Sequence, residues 1–390
     1  MRTTAYEGLA MKHRRIISAA LAFAFAVVGA HAPVAAATNA PPLVLRAVAF
    51  ISPATGWIAG DGAILGTTDG GRSWHRQYTG RVQLTSVSFA NSLDGWAAGV
   101  DPIPGTGVLL GTHDGGRTWS TLVEPGNPAR TISFADPSVG YAVAGGSPLA
   151  PENASERMLF FGGRIARTVD GGHSWNLLDN PMLVDSACAS STKVTWAAYQ
   201  AAVLRTDDGG DTFSHVLSPQ IDTKRTWFAN VHCASDSAAW AQFTSTPVGD
   251  QRPFVVYRTS DAGQHWQPVL LNAKTPDAYP LLKGVAGGPG PRPGPFAAVD
   301  ANVAFFLGVC PACGSHGAIS IAGTTDGGAT WQPVATIPEV TNRGPIAVSF
   351  ADATHGWVIG TSASGSPVIE ATANGGTTWT SVRQIMSMSI

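Results

Sequence analysis

The sequence predicts an all-β fold: a seven-bladed β-propeller with four-stranded antiparallel blades. Three observations predict it. A hexapeptide turn recurs seven times, an apolar–aromatic pair precedes the turns, and the composition suits short strands. The 390 residues include 45 Gly and 27 Pro, while charged residues make up only 13%. About a quarter is usual, so this chain favours tight turns over amphipathic helices. A hydrophobic content of 44% is ample for a buried interior. The net charge of −2 gives no global reason to expect nucleic acid or an anionic membrane as partner.

The recurring turn reads Asp-Gly-Gly-x-Ser/Thr-Trp. It runs from Asp69 to Trp74, Asp114 to Trp119, Asp170 to Trp175, Asp208 to Phe213, Asp261 to Trp266, Asp326 to Trp331 and Asn374 to Trp379. Ala262, His265, Phe213 and Asn374 are the departures from the pattern. The intervals of 38 to 65 residues match one four-stranded blade each. The Asp carboxylate accepts hydrogen bonds from backbone N–H groups just ahead of it, closing an Asx-type turn. The Gly pair supplies positive φ where a Cβ would clash. The Ser/Thr hydroxyl adds a local bond, and the aromatic drops onto the neighbouring sheet.

The second signature places an apolar residue seven positions before an aromatic. The pairs are Phe50 and Trp57, Phe89 and Trp96, Phe134 and Tyr141, Cys233 and Trp240, Val299 and Phe306, Phe350 and Trp357. Cys188 and Trp196 miss the spacing by one. Alternating stretches such as Val87-Ser88-Phe89 read as strand A and Gly56 to Gly60 as strand B. Strand C, such as Ala63 to Thr67, enters the Asp turn, and strand D leaves from the turn's Trp. The blades fall near 44–79, 82–126, 127–180, 181–219, 226–271, 280–338 and 343–385, in one propeller over 38–390.

The tryptophans fit this frame. Of the 12, six close an Asp turn and five mark strand B, leaving only Trp227. That distribution assigns the indoles to core packing. An aromatic cage for a sugar or cation is the functional alternative.

Residues 1–37 read as an export signal, with Met11 as the natural start. Lys12, His13, Arg14 and Arg15 form a basic head, Ile16 to Ala30 is apolar or small, and Ala35-Ala36-Ala37 offers a cleavage site. The apolar run is shorter than the roughly 20 residues that span a bilayer. The mature chain is therefore expected to be secreted or periplasmic and not membrane-spanning.

These motifs resemble the Asp-box, or BNR, repeat of sialidase-like propellers, over residues 44 to 385. Within that superfamily, Phe50…Gly56-Trp57…Gly60…Thr67-Thr68-Asp69-Gly70-Gly71 is most similar to the photosystem II stability and assembly factors. The resemblance implies an exported, seven-bladed, non-catalytic propeller that assists assembly of a membrane complex, using an arginine patch. Sialidases carry the same box, and the resemblance to them implies an Arg-Ile-Pro segment ahead of the first box. This chain has Arg164-Ile165-Ala166 instead, just before the third box. No catalytic residue, cofactor or metal is assigned.

Propeller topology puts the Asp turns, as C–D connections, on the same face as the A–B turns. The B–C and D–A connections emerge on the opposite face, where length varies. Strand-B aromatic to box Asp takes 12 residues in the first and fourth repeats, but 29, 21 and 20 in the third, fifth and sixth. The extra residues include Gly145 to Arg157, Ser245 to Pro253 and Cys310 to His316, and Gly284 to Pro295 lengthens a D–A link. Long loops on a rigid scaffold commonly carry function. Arg46, Arg81, Arg130 and Arg343 all lie shortly before strand A, in blades that ring closure makes contiguous. They form a candidate basic arc for a protein partner, with Lys224 and Arg225 in a similar place. The competing reading is solvated loop charge balanced by nearby acids.

Cys188 and Cys233 read as the same strand-A position in adjacent blades, which predicts a blade-to-blade disulfide; two buried thiols are the other reading. Cys310-Pro311-Ala312-Cys313 reads as a local loop disulfide, with a redox pair or a metal knuckle including His316 as alternatives. Asn153-Ala154-Ser155 is a glycosylation sequon. The reading that results is an exported, non-enzymatic binding or assembly propeller acting on a protein partner, with a membrane-complex subunit as the implied class. A carbohydrate-active propeller, lectin-like or glycosidase, is the alternative.

Overall fold

A computed structural model describes residues 43–382, apart from 104, 125–127, 146–161, 180–182 and 314–316. The expected signal segment, most of the third repeat's long loop with its sequon, and His316 lie outside the described residues.

Every described sheet is antiparallel, and its strands follow one another in chain order. The first sheet comprises β1 (Leu45–Phe50), β2 (Gly56–Thr67), β3 (His75–Phe89), β4 (Gly95–Val100), β5 (Gly107–Thr112) and β6 (Ser120–Leu122). The second begins on strand A at β7 (Ala129–Phe134), followed by β8 (Gly140–Ala144), β9 (Arg164–Thr168) and β10 (Asn176–Leu177). Four further four-stranded sheets have strands A at Ser186–Ala189, Trp227–Cys233, Arg292–Ala298 and Ala347–Phe350.

The expectation of seven separate sheets is corrected: the described residues form six. The reason is the shortness of two connections. In the first repeat, strands B and C run on as the single 12-residue β2, bulged where Asp61 and Ala63 change register. Strand D of that repeat and strand A of the next are likewise fused into the 15-residue β3. The pair Asp61↔Gln83 carries hydrogen bonding across what the repeats mark as a boundary. The first sheet therefore holds two Asp turns, and each of the other five holds one.

The A strands of successive sheets touch one another and so line the axis; β1 touches the A and B strands of the last sheet, closing the ring. Aromatics fill the space between sheets. Trp57 stacks on Phe89, Trp96 on Phe134 and Trp357 on Phe50, at centroid separations of 3.4, 3.6 and 3.4 Å. Each is a strand-B indole laid on the strand-A Phe of the following repeat. The box Trp then meets that Phe edge-on, as Trp74 meets Phe50 and Trp379 meets Phe350. Where the strand-A residue is small, the box Trp reaches the indole directly, as in Trp196–Trp266 and Trp240–Trp331.

Register corrects two assignments. Phe50↔Gly56 and Phe134↔Gly140 define the last residue of strand A. In the fourth repeat that place is Ala189, opposite Thr195, so Cys188 lies one residue earlier than expected. In the sixth it is Ala298, opposite Ala304, and Phe305 takes the indole's place by stacking on Phe350 at 3.6 Å. The Gly284 to Pro295 stretch is also more ordered than its composition implies. Arg292–Ala298 is strand, and Gly288 N–H donates to the Leu271 carbonyl at 2.9 Å.

Candidate functional site

The Asp turns repeat one hydrogen-bond design. In the first, the Ser73 N–H and hydroxyl donate to the two carboxylate oxygens of Asp69, at 2.9 and 2.6 Å. Those bonds hold the Asp69 carboxyl down to a pKa of about 2. Gly70 and Gly71 have φ of +75° and +87°, the left-handed region that glycine enters freely. Ala262 takes the same conformation at φ +60°, a locally costlier choice.

A residue absent from the expected pattern completes the turn. Thr67 donates its hydroxyl to Asp69 Oδ1 at 2.8 Å and accepts the Gly71 N–H at 2.9 Å. Thr112, Thr168, Thr206, Thr259, Thr324 and Thr372 do the same for their turns. All seven are buried. The signal was in the chain, because every turn reads Thr-x-Asp or Thr-x-Asn.

Two further bonds make the turn a joint. The Gly70 N–H donates to the Ala54 carbonyl of the A–B turn at 2.8 Å, and Gly115 N–H to Leu93 at 2.9 Å. This places C–D and A–B connections on one face. The strand-B aromatic of the preceding repeat then donates to the first glycine's carbonyl: Trp96 Nε1 to Gly171 at 2.8 Å, Tyr141 OH to Gly209 at 3.0 Å, Trp357 Nε1 to Gly70 at 3.0 Å. The Asp turns are thus inter-repeat fasteners. In the third to fifth repeats an arginine beside the turn's threonine adds to this. Arg167, Arg205 and Arg258 lie over the rings of Tyr141, Trp196 and Trp240, at 6.0, 5.3 and 5.9 Å from their centroids.

The opposite face carries the four candidate arginines, each near the start of an A strand. Arg46 forms a two-pronged pair with Asp61 and is largely covered. Arg81 pairs with Asp101 at 2.8 Å with its side chain 67% exposed, and Asp101 also accepts the Ile103 N–H. Arg130 is half-buried; burial lowers its pKa, and the Asp185 carboxylate opposes that shift. Asp185 is itself pushed up by burial while accepting the Gln200 and Ala229 N–H groups. Arg343 is exposed and donates to the Ala363 carbonyl at 3.3 Å. Arg225 pairs with Asp222 at 3.3 Å.

Acids therefore accompany the arc at three of its four members. Asp61 and Asp101 escaped the sequence reading although each directly follows a strand-B segment, Trp57 to Gly60 and Trp96 to Val100. The Arg81 side of the Arg81–Asp101 pair is open to solvent, which screens the attraction, so that arginine can exchange its partner. On the same face, Glu124 is pushed up to about 7 by burial.

Cys188 and Cys233 are joined by a disulfide with Cα atoms 5.8 Å apart. Its setting is a seam. Elsewhere a strand-A serine accepts an N–H from the next A strand: Ser88 from Phe134, Ser133 from Ala189, Ser349 from Phe50, at 3.1, 3.0 and 3.0 Å. Cys188 occupies the serine place: its Sγ accepts the Cys233 N–H at 3.1 Å, and the disulfide adds a covalent link to that contact. Cys310 and Cys313 form the second disulfide. Among the described residues no group of three or more His, Cys, Asp or Glu side chains is placed to hold a metal. Among them, too, no helix is long and apolar enough to cross a membrane, which says nothing of strands.

A ring of antiparallel sheets fastened by Thr-x-Asp-Gly-Gly turns defines a BNR-type propeller, and this chain is one that resembles the photosystem II assembly factors. Residues 34–177, fewer than half of the chain, match the family described as Photosynthesis system II assembly factor YCF48. A solved structure described as YCF48 bound to D1 peptide shares the fold at 19% identity and TM-score 0.50, covering 86% of this chain and 92% of that one. A structural study of two prolyl endopeptidases gives 12% identity and TM-score 0.49, over 87% of this chain and 49% of that one. The structure of U3-55K gives 11% and 0.48, over 85% and 89%. Among curated proteins none matches.

Proposed function

We propose that this chain is an exported, non-catalytic propeller that binds a protein partner as an assembly scaffold. The observation that carries the reading is the match of residues 34–177 to an assembly-factor family, a stretch containing Arg46, Arg81 and Arg130. The peptide named with the similar solved structure supports a polypeptide as the class of partner, and the family description supports a membrane-complex subunit. Export is supported by the basic head and apolar run of residues 12–30. The binding surface is the face of B–C and D–A connections, where Arg81 and Arg343 are the exposed members of the arc.

The test is crosslinking in native cells followed by affinity purification, with wild type beside an Arg81→Glu, Arg343→Glu variant. Both residues are exposed, so the variant is expected to fold, which its circular dichroism checks. Wild type is expected to recover a defined protein partner in a salt-sensitive manner. The variant is expected to recover less of it, mainly through slower association. Equal recovery at every salt concentration would remove the arc from the surface. Turnover of fluorogenic glycosides by the purified protein would replace the reading with the carbohydrate-active one.

A further inference from the structure

The two disulfides sit in opposite environments. Cys188–Cys233 lies between inner strands, packed against a cluster that includes Trp196, Ala229 and Val231. Cys310–Cys313 opens the B–C connection of the sixth repeat, on the face of long loops, and Ala312 and Cys313 are exposed. We propose that Cys310–Cys313 is a thiol–disulfide exchange site whose reaction partner is a dithiol.

Three observations carry this. First, a thiolate must reach a sulfur along the S–S axis, and Cys313 is exposed whereas Cys188 and Cys233 are both half-buried. Second, the flanking strands and the Cys310–Cys313 turn are held without the sulfur link. Cys310 ends the strand Ala304–Cys310, paired residue for residue with Ala318–Thr324. Cys313 N–H donates to the Cys310 carbonyl at 3.2 Å, so the turn persists when the disulfide opens. Third, the two sulfurs are three residues apart with Cα atoms 5.3 Å apart, so the reduced pair stays within reach for reclosure. Reduction at Cys188–Cys233 would instead remove a covalent link between strands of different sheets.

The chemistry balances with a dithiol alone. One thiolate of the partner attacks Cys313 Sγ, forming a mixed disulfide and expelling Cys310 as a thiolate that takes up a proton. The partner's second thiolate attacks its own sulfur in that mixed disulfide and expels Cys313 as a thiolate, which is protonated. The partner leaves as a disulfide, oxidised by two electrons, and the protein is left as a dithiol reduced by two. The reverse sequence oxidises Cys310 and Cys313 at the expense of a partner disulfide.

The test titrates the folded full chain with dithiothreitol, traps free thiols with an alkylating reagent and locates them by peptide mass. Cys310 and Cys313 are expected to be trapped at reductant concentrations about tenfold below those that open Cys188–Cys233, with tryptophan fluorescence unchanged. A Cys310→Ser variant supplies a second readout, because its remaining Cys313 thiol is expected to form a mixed disulfide with oxidised glutathione in the folded state. Opening of both pairs at one concentration would overturn the assignment. So would opening of Cys310–Cys313 only upon unfolding, or a Cys310→Ser protein that takes up no glutathione.

Discussion

Two junctions of the ring meet the same requirement by different means. Between the fourth and fifth repeats, Cys188 is bonded to Cys233, while Val231 N–H donates to Ser186 Oγ at 2.9 Å. Trp196 Nε1 donates to the Ser235 carbonyl of an A–B turn at 3.3 Å. At the closing junction, Ser349 Oγ accepts the Phe50 N–H at 3.0 Å, Phe50 stacks on Trp357, and Trp357 Nε1 donates to Gly70. By register, Cys188 corresponds to Ser349 and Cys233 to Phe50. The lesson is that the seam is written in strand A. An A strand ending on Phe closes by stacking, and one ending on a small residue leaves room for a covalent link.

The largest effect is expected at the closing junction. Trp357→Ala removes a buried indole that stacks on Phe50 and bonds the Asp69 turn, for a loss of roughly 3–5 kcal/mol in urea unfolding. Trp196→Ala deletes an equally buried ring, but there the disulfide still joins the sheets. Hydrogen exchange should therefore quicken at Phe50 in the first variant and stay slow at Cys233 in the second. Equal exchange at the two seams would break the comparison.

The next effect concerns the covalent seam itself. Replacing Cys188 and Cys233 with Ser removes a link spanning 45 residues, for which chain entropy gives about 4 kcal/mol. The hydroxyl introduced by Cys188→Ser would take over the Cys233 N–H that Cys188 Sγ now accepts at 3.1 Å, so the measured loss is expected nearer 2–4 kcal/mol. Removing Cys310–Cys313, with a separation of only three residues, should lower stability by about 2 kcal/mol or less. A double variant no less stable than wild type would show the seam already complete without sulfur.

The turns were legible because their determinants are local: carboxylate, glycine pair and aromatic lie within six residues of one another. The threonine two positions earlier was missed because it belongs to strand C by position and to the turn only by its hydrogen bonds. Sheet number was not legible. Whether β2 and β3 break depends on the pairing of Asp61 with Gln83, a contact between distant residues that no single segment specifies. The displacement of Cys188 has a related origin: with Ala189 at the end of strand A, a spacing rule that seeks an apolar side chain settles on its neighbour. The arginines were found and their acids were not, since Asp61 and Asp101 lie one strand away from the residues they neutralise.

The smallest expected effect separates the two seams by pH. In the first Asp turn hydrogen bonds outweigh burial, that of the Ser73 hydroxyl first, and hold Asp69 at about 2. Its ordinary value is near 4, so the folded state binds this proton less readily than the unfolded chain. The stabilisation is then fully present above about pH 4 and is lost as pH falls towards 2. The closing junction depends on this turn, because Trp357 donates to the Gly70 carbonyl inside it. The Trp196 indole of the covalent seam instead donates to Ser235, outside any Asp turn. On acidification from pH 5 to about 2, hydrogen exchange should therefore rise at Gly70 and Phe50 before it rises at Cys233. Asp69→Asn reproduces what Asn374 already does in the last repeat, where the amide oxygen accepts the Thr378 N–H at 2.9 Å. That variant is expected to keep the fold while flattening the acid dependence at the closing seam. An unchanged acid profile would separate the ring's closure from the ionisation of its fastener.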